Sequence, residues 1–250
     1  MTAIDRSPAF AGLMDPLYDD LAQQVCGTAR RVIVGLNWTL VEGPDGAGVA
    51  HTPARGTNGC RSLPDPGGYA GRDLAALAAL RTSDNVFENA LAIAATNAHH
   101  NRRDRTGNPV NGLDLVRANG EKTVVIGRFP GLDQRLPGAA VIEKEPGPDD
   151  HPVSAAETLL PACDNLVITA STLLDGALPR LLELGPQAYT VLLGPGTPLA
   201  ETLFDFGVDA LSGLIVEDVD ALATVIREGG AVRTMKRYTR NLSILKSDPR

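Results

Sequence analysis

The chain has 250 residues, 43% hydrophobic and 21% charged, so it can bury a sizeable core as one large domain or two small ones. Its 23 Lys and Arg against 30 Asp and Glu give a net charge of −7, and without a basic run this balance argues against a nucleic-acid partner. The N-terminal residues lack the apolar core of a signal peptide and no segment reaches membrane-spanning length, so we expect a cytoplasmic protein with no membrane partner.

The first elements predict a small α+β unit. Leu17, Leu21 and Val25 recur every fourth residue, which predicts a helix between Asp15 and Gly27. A β-branched and aromatic segment then predicts a strand over Arg31–Val41, and the turn GPDGAG allows residues 49–52 to return as its hairpin partner.

The Gly- and Pro-rich segment Ala54–Gly71 predicts a surface loop. Such a loop either crosses a site or a subunit boundary, or is only a long connection. Because the loop and the short first unit can bury each other across a two-fold axis, we expect a homodimer.

Two helices are predicted next, over residues 73–80 and 86–98. Asn85 and Glu88 stand three residues apart at the start of the second helix, as in a capping box. This second helix is apolar almost all round, which predicts that it is buried and that Asn97 needs hydrogen-bond partners. His99 and His100 follow; they are candidate metal ligands, or they simply cap the helix through its dipole.

The polar segment 102–120 predicts a linker with a domain boundary near Asn119, which divides the chain into residues 1–118 and 119–250. Beyond it, strands and helices alternate, which predicts a doubly wound parallel sheet. The strands are predicted over residues 122–127, 139–143, 165–170, 189–193 and 210–216. The helices are predicted over residues 154–160, 173–184, 198–206 and 220–228. A further strand over 238–245 has no assigned sheet.

Ligands of such sheets collect at the carboxyl ends of the strands, where the winding direction changes. After the first strand, Gly127 permits close backbone approach and Arg128 can pair with an anion, although the loop lacks GxGxxG. After the second, Glu143 or Glu145 can meet ribose hydroxyls or a metal, or can simply be solvated.

Two further strand ends carry hydroxyl groups. Thr169, Ser171 and Thr172 precede a predicted helix and exceed what a helix cap requires. The turn Gly194-Pro195-Gly196-Thr197 can cradle an anion, although its prolines remove backbone donors.

Other signals are weaker. Three cysteines, Cys26, Cys60 and Cys163, form no CxxC pair, which favours reduced thiols over disulfides or a zinc site. The four histidines lack HxxxH or HxH spacing, Trp38 is interpreted as core packing, and neither a GxSxG elbow nor a P-loop is present.

Several segments together carry a family resemblance across nearly the whole chain: GLNWT, ATNA, IGRFPGL, IEKEPGPDDHP, LLPACDNLVITASTLLDGALPRLLEL and LLGPGTPLAETLFDFGVDALSG. With these segments the chain resembles the putative heavy-metal chelation family. The resemblance implies an enolase N-terminal-like domain followed by a Rossmann-like domain, with a site in the cleft between them. It points to these residues: Gly127, Phe129, Pro130, Glu143, Pro146, Thr169, Ser171, Thr172, Gly194, Gly196, Thr197 and Pro198, with Asn37 and Asn97 from the first domain.

Three functional hypotheses follow. The leading one is the binding or processing of a small metal-chelating molecule, or of its transition-metal complex, in the cleft between the domains. The alternative is an enzyme that holds an adenosine-containing cofactor, NAD, NADP or S-adenosylmethionine, in the Rossmann-like domain. The third is an interaction module that keeps the fold without the pocket.

Overall fold

The computed structural model describes residues 16–53, 62–116 and 122–247. Within these ranges the chain forms a three-stranded antiparallel sheet and a seven-stranded, mostly parallel sheet, which confirms the mixed α/β class. Cys60, the first part of the loop predicted over Ala54–Gly71, and the boundary predicted near Asn119 lie outside the described residues. The strands are β1 (Arg31–Val34), β2 (Trp38–Glu42), β3 (Ala47–His51), β4 (Thr123–Ile126), β5 (Ala140–Glu143), β6 (His151–Pro152), β7 (Asn165–Thr169), β8 (Tyr189–Leu193), β9 (Ala210–Val216) and β10 (Thr239–Leu245).

The single strand predicted over Arg31–Val41 is wrong, because the chain turns back within it. The Gly35 amide donates to the Trp38 carbonyl at 3.0 Å, which divides the segment into β1 and β2. A side chain has no room at this turn, since a Cβ on Gly35 would lie 2.4 Å from the Ile226 carbonyl oxygen. The predicted return strand is confirmed as β3, which pairs antiparallel with β2.

The helices are shorter and more broken than the sequence pattern predicts. They are α1 (Pro16–Gln23), α2 (Leu74–Ala78), α3 (Val86–His100), α4 (Leu132–Arg135), α5 (Ala156–Leu159), α6 (Thr172–Asp175), α7 (Leu178–Leu184), α8 (Val219–Arg227) and α9 (Val232–Met235). Gly176 adopts φ of 74° and interrupts the helix predicted over residues 173–184. The helix predicted over 198–206 is only a 3-10 segment, Glu201–Phe206. None of the described helices has the length and apolarity that crossing a membrane requires.

The long helix α3 is buried along most of its length, as its composition predicts. Asn85 caps it by accepting a hydrogen bond from the Phe87 amide at 3.0 Å. The capping box itself is wrong, because Glu88 accepts hydrogen bonds from the hydroxyls of Tyr69 and Ser83 and does not bond to the Asn85 amide.

The larger sheet has the order β6-β5-β4-β7-β8-β9-β10, and all pairs are parallel except β9 with β10. The segment predicted over 238–245 is therefore the antiparallel edge strand β10. The winding direction reverses between β4 and β7, so their carboxyl ends border the crevice where such sheets bind ligands. The largest hydrophobic cluster runs through both sheets, from Leu17 and Leu91 to Ile168 and Leu192.

Candidate functional site

A cavity of about 220 Å³ lies where the hairpin β2–β3 meets the carboxyl ends of β7 and β8. The apolar part of its wall comes from Trp38, Ala50, Ile93, Ala170, Leu174 and Pro195. The polar part comes from His51, Thr169, Ser171, Gly194 and Gly196. Of the residues predicted at the third and fourth strand ends, five line this cavity: Thr169, Ser171, Gly194, Pro195 and Gly196. Thr172 and Thr197 do not.

The side-chain amide of Asn97 fixes the hairpin over the sheet. It donates at 2.9 Å both to the Val49 carbonyl of β3 and to the Gly196 carbonyl of the turn after β8. The residue is fully buried, so Asn97 lies behind the cavity wall and positions its two sides. One helical turn later, Asn101 donates to the Thr197 carbonyl at 2.9 Å and accepts from the Leu199 amide at 2.8 Å.

The hydroxyl groups after β7 divide into two kinds. The oxygens of Thr169 and Ser171 lie 3.2 Å apart at the cavity, and Ser171 is exposed. The hydroxyl of Thr172 is instead buried and donates to the Thr169 carbonyl at 2.8 Å. Thr169 and Ser171 are thus the hydroxyls that can meet a guest.

The glycine turn after β8 is built differently from a phosphate cradle. The Gly194 amide donates to the Ser212 carbonyl and the Thr197 amide to the Gly194 carbonyl, each at 3.0 Å, while Pro195 has no amide hydrogen. The Thr197 hydroxyl is buried without a hydrogen-bond partner among the described residues. This turn shapes the wall of the cavity with its backbone.

Trp38 and His51 were not predicted to lie together: Trp38 was interpreted as core packing, which its place in a buried hydrophobic cluster confirms, and His51 was one of four histidines without metal-ligand spacing. They face each other across β2 and β3 in the register, and their rings meet edge to face with centroids 5.9 Å apart. His51 is exposed at the end of β3, and partial desolvation of its ring, together with the nearby positive charge of Lys144, lowers its pKa. The strands leave the turn at Glu42 and Ala47, and counting outward from that pair reaches Trp38 and His51, so their pairing follows only once the register of the hairpin is known.

The first strand end lies beside the cavity without lining it. Gly127 adopts φ of 91°, and a Cβ there would lie 2.8 Å from Cγ2 of Thr169. The Arg128 guanidinium donates to both oxygens of Asp133 at 3.1 Å and to Asp150 at 2.6 Å, so it is already paired with carboxylates. Phe129 packs into a hydrophobic cluster and Pro130 is exposed.

Glu143 organises the same loop through backbone amides. Its two carboxylate oxygens accept from the Arg128 amide at 2.6 Å and from the Lys144 amide at 3.2 Å. Glu145 is exposed beyond the end of β5. Lys144 pairs with Asp175, so an ion pair also joins the loop after β5 to the end of helix α6.

The remaining predicted residues lie away from the cavity. The Asn37 side chain donates to the Gly229 carbonyl at 2.7 Å and ties the hairpin to the end of α8. The His100 ring donates to the Leu21 carbonyl at 3.1 Å, and the His99 ring accepts from the Cys26 amide at 3.4 Å. Both histidines therefore face the first helix and its C-terminal connection.

No three His, Cys, Asp or Glu side chains converge on a common point in the part of the chain that the structure describes. In particular, Glu143 and Glu145 at the end of β5 are not brought together with His99 and His100 into such a group. Cys26 and Cys163 are both free thiols.

Comparison with known proteins gives consistent relatives. The model of the family DUF364, described as putative heavy-metal chelation, matches residues 111–244, and that of DUF4213, with the same description, matches residues 18–100. A crystal structure of a DUF364 protein of unknown function from Desulfitobacterium hafniense has a TM-score of 0.82 and 27% identity, over 92% of this chain and 97% of that one.

A second DUF364 protein of unknown function, from Pyrococcus horikoshii, has a TM-score of 0.76 and 21% identity, over 92% of this chain and 100% of that one. At that identity the likeness concerns the fold alone. No curated protein matches the chain.

Proposed function

Because the chain belongs to the putative heavy-metal chelation family, we propose that its cavity binds a small metal-chelating molecule or the metal complex of one. The observation that carries this proposal is the wall of the cavity, which combines apolar side chains with two hydroxyls and one imidazole. Such a lining suits a compact organic guest whose orientation is fixed by a few polar contacts.

The volume of the cavity limits the guest. About 220 Å³ is the share of roughly seven liquid water molecules at ~30 Å³ each. Drug-sized ligands typically occupy roughly 300–1,000 Å³, so the guest we propose is a small bidentate or tridentate chelator. A large siderophore would extend far outside.

The donor groups favour a chelate over a bare ion. Protein sites for transition metals usually supply three or four side-chain ligands, and no group of three converges within the described residues. The cavity wall contains no carboxylate, thiol, Lys or Arg. We therefore infer that most metal ligands come from the guest.

In this proposal each side of the wall has a separate task. The hydroxyls of Thr169 and Ser171 bond to each other, so the pair offers one free O–H and its oxygen lone pairs to the guest, while Trp38 and Leu174 cover the apolar part of the guest. Glu143 and Glu145 hold no ligand in this proposal, since neither lines the cavity and Glu143 already accepts hydrogen bonds from two backbone amides. We assign no reaction to the site.

Equilibrium dialysis with elemental analysis tests the proposal. Cu²⁺, Ni²⁺ and Zn²⁺ would be offered alone and as one-to-one complexes with iminodiacetate or picolinate. We expect the complexes to bind at one per chain and the bare ions to bind weakly and without fixed stoichiometry. Binding of bare ions alone, or of nothing, would contradict the proposal.

Ser171→Ala provides a specific variant for this assay. Loss of the hydroxyl removes one hydrogen bond to the guest, worth on the order of 1 kcal/mol, or about fivefold in affinity. Ser154→Ala, at an exposed position outside the cavity, is the matched control and should bind like the wild type.

The order of the strands favours a second candidate, an enzyme with an adenosine-containing cofactor. The parallel strands follow the doubly wound order, and Glu143 ends the second of them, where dinucleotide folds place an acid. Isothermal titration with NAD, NADP and S-adenosylmethionine tests this candidate. Saturable binding of any of them, without binding of the metal complexes, would replace our proposal.

A further inference from the structure

His51 is the one residue in the cavity wall whose side chain is a common ligand of transition metals. The other polar contributions to the wall are two hydroxyls and glycine backbone. Any direct bond from this wall to a soft or borderline metal would therefore come from the imidazole.

The position of His51 is fixed from several directions. It ends β3 opposite Trp38, and the edge-to-face contact with the indole restricts the plane of its ring. The next residue is anchored as well, since the Thr52 amide donates to the Asn37 carbonyl at 2.9 Å and its hydroxyl lies 2.9 Å from that of the buried Thr39. The hairpin thus presents the imidazole to the cavity from a rigid strand end.

The ring is also available for binding. It makes no hydrogen bond or ion pair within the described part of the chain, and its only recorded ring contact is with Trp38. The residue is exposed at the end of β3, so a guest can reach the ring. An uncharged imidazole carries the nitrogen lone pair that a metal requires.

We propose that His51 coordinates the metal of the complex held in the cavity through the lone pair of one imidazole nitrogen. This inference rests on the proposed function and adds to it the kind of guest: a complex whose chelator leaves one coordination position open or occupied by water. The imidazole replaces that water, so one metal–oxygen bond breaks and one metal–nitrogen bond forms without a change of oxidation state. A complex with every position filled by its chelator would lack this bond.

Pulsed electron paramagnetic resonance on the Cu²⁺–iminodiacetate complex tests the inference. Iminodiacetate fills three positions, so the copper keeps one for the protein. We expect the wild-type protein to show the coupling of a remote imidazole nitrogen, and His51→Gln to lose it and to bind at least about tenfold more weakly. His99→Gln and His151→Gln, away from the cavity wall, should retain both the coupling and the affinity.

The outcomes separate the two levels of the proposal. The copper complex could bind at one per chain without imidazole coupling, or with a coupling that survives in His51→Gln. Either result overturns the role of His51 and leaves the proposed function standing. Absence of binding to the wild-type protein overturns both. Because the coupling is read first in the wild type, a His51→Gln variant that folds poorly does not obscure the result.

Discussion

A single buried amide joins the two sides of the cavity. Because α3 is apolar nearly all round, the sequence already indicated that Asn97 must find hydrogen-bond partners. It did not indicate which ones: they are the carbonyls of Val49 and Gly196. They lie 48 and 99 residues away along the chain, and no local pattern encodes such distances. For the same reason the sequence could nominate Arg128 and Glu143 as candidate ligands without showing that nearby groups already pair with them.

Asn97→Ala should lower the free energy of unfolding by about 2–4 kcal/mol, because it leaves two buried carbonyls without donors and opens a small void. Chemical denaturation followed by circular dichroism measures this change. Asn241→Ala, at an exposed position on β10, should change it by less than about 0.5 kcal/mol. Equal effects of the two substitutions would show that Asn97 does not hold the hairpin.

His100 should make the stability of the protein fall in acid. Burial, with smaller effects of neighbouring positive groups, lowers its pKa from 6.5 to about 4. The unfolded chain therefore binds a proton before the folded chain does, and the contribution present above pH 6.5 declines as the pH falls to about 4. The expected loss is on the order of 3 kcal/mol at pH 4.

Denaturation curves recorded between pH 7 and pH 4 measure this loss. His100→Gln keeps a donor for the Leu21 carbonyl but cannot titrate, so its stability should depend less on pH over this range. His151→Gln, on the exposed β6, is the control and should follow the wild type. Identical slopes for His100→Gln and the wild type would contradict the assignment.

At the level of elements, hydrophobic alternation and turn residues were sufficient to place most strands of the second half. They failed at Gly35 and Gly176, where a glycine interrupts an otherwise regular pattern. In both places the pattern of side chains continues while the backbone turns, so periodicity alone cannot locate the break. The pairing of Trp38 with His51 at the cavity was not predicted for a related reason, since it depends on the register of the hairpin.

Gly48 in β3 sets how closely α3 approaches the hairpin. A Cβ at this position would lie 2.2 Å from the Ala94 carbonyl oxygen and 2.3 Å from the Ala98 nitrogen. Gly48→Ala should therefore push the helix away and destabilise the protein by about 3 kcal/mol. Thermal denaturation gives the readout.

Gly196→Ala is the matched control, because its Cβ would meet nothing closer than 3.5 Å. We expect this variant to lose less than about 1 kcal/mol of stability. If Gly48→Ala lost as little stability as Gly196→Ala, the close contact between β3 and α3 would not determine how the helix packs on the hairpin.

Across the whole molecule, hydrogen bonds between residues far apart in the sequence connect the first half of the chain to the second. The Tyr18 hydroxyl donates to the Leu173 carbonyl at 3.0 Å, and Arg105 donates to the Leu199 carbonyl at 2.6 Å. One hydrophobic cluster also runs through both sheets. The division into two domains at residues 118 and 119 stays a prediction. Neither it nor the predicted homodimer, which light scattering would test, is needed for this cohesion.

We expect the chain to unfold in one cooperative transition. The buried bonds and the shared core prevent either half from opening while the other keeps its packing. Scanning calorimetry should then give a calorimetric enthalpy equal to the van't Hoff enthalpy. Two resolved peaks, or a calorimetric enthalpy well above the van't Hoff value, would show that the halves melt separately.

The indole in the cavity wall has a practical consequence. Trp38 is the only tryptophan of the chain, so fluorescence excited selectively at the indole reports on this one position in the cavity wall. A paramagnetic guest such as a copper or nickel complex would quench that fluorescence on binding. A diamagnetic zinc complex would mainly shift the emission maximum. The protein thus carries its own optical sensor for whatever enters between the hairpin and the sheet.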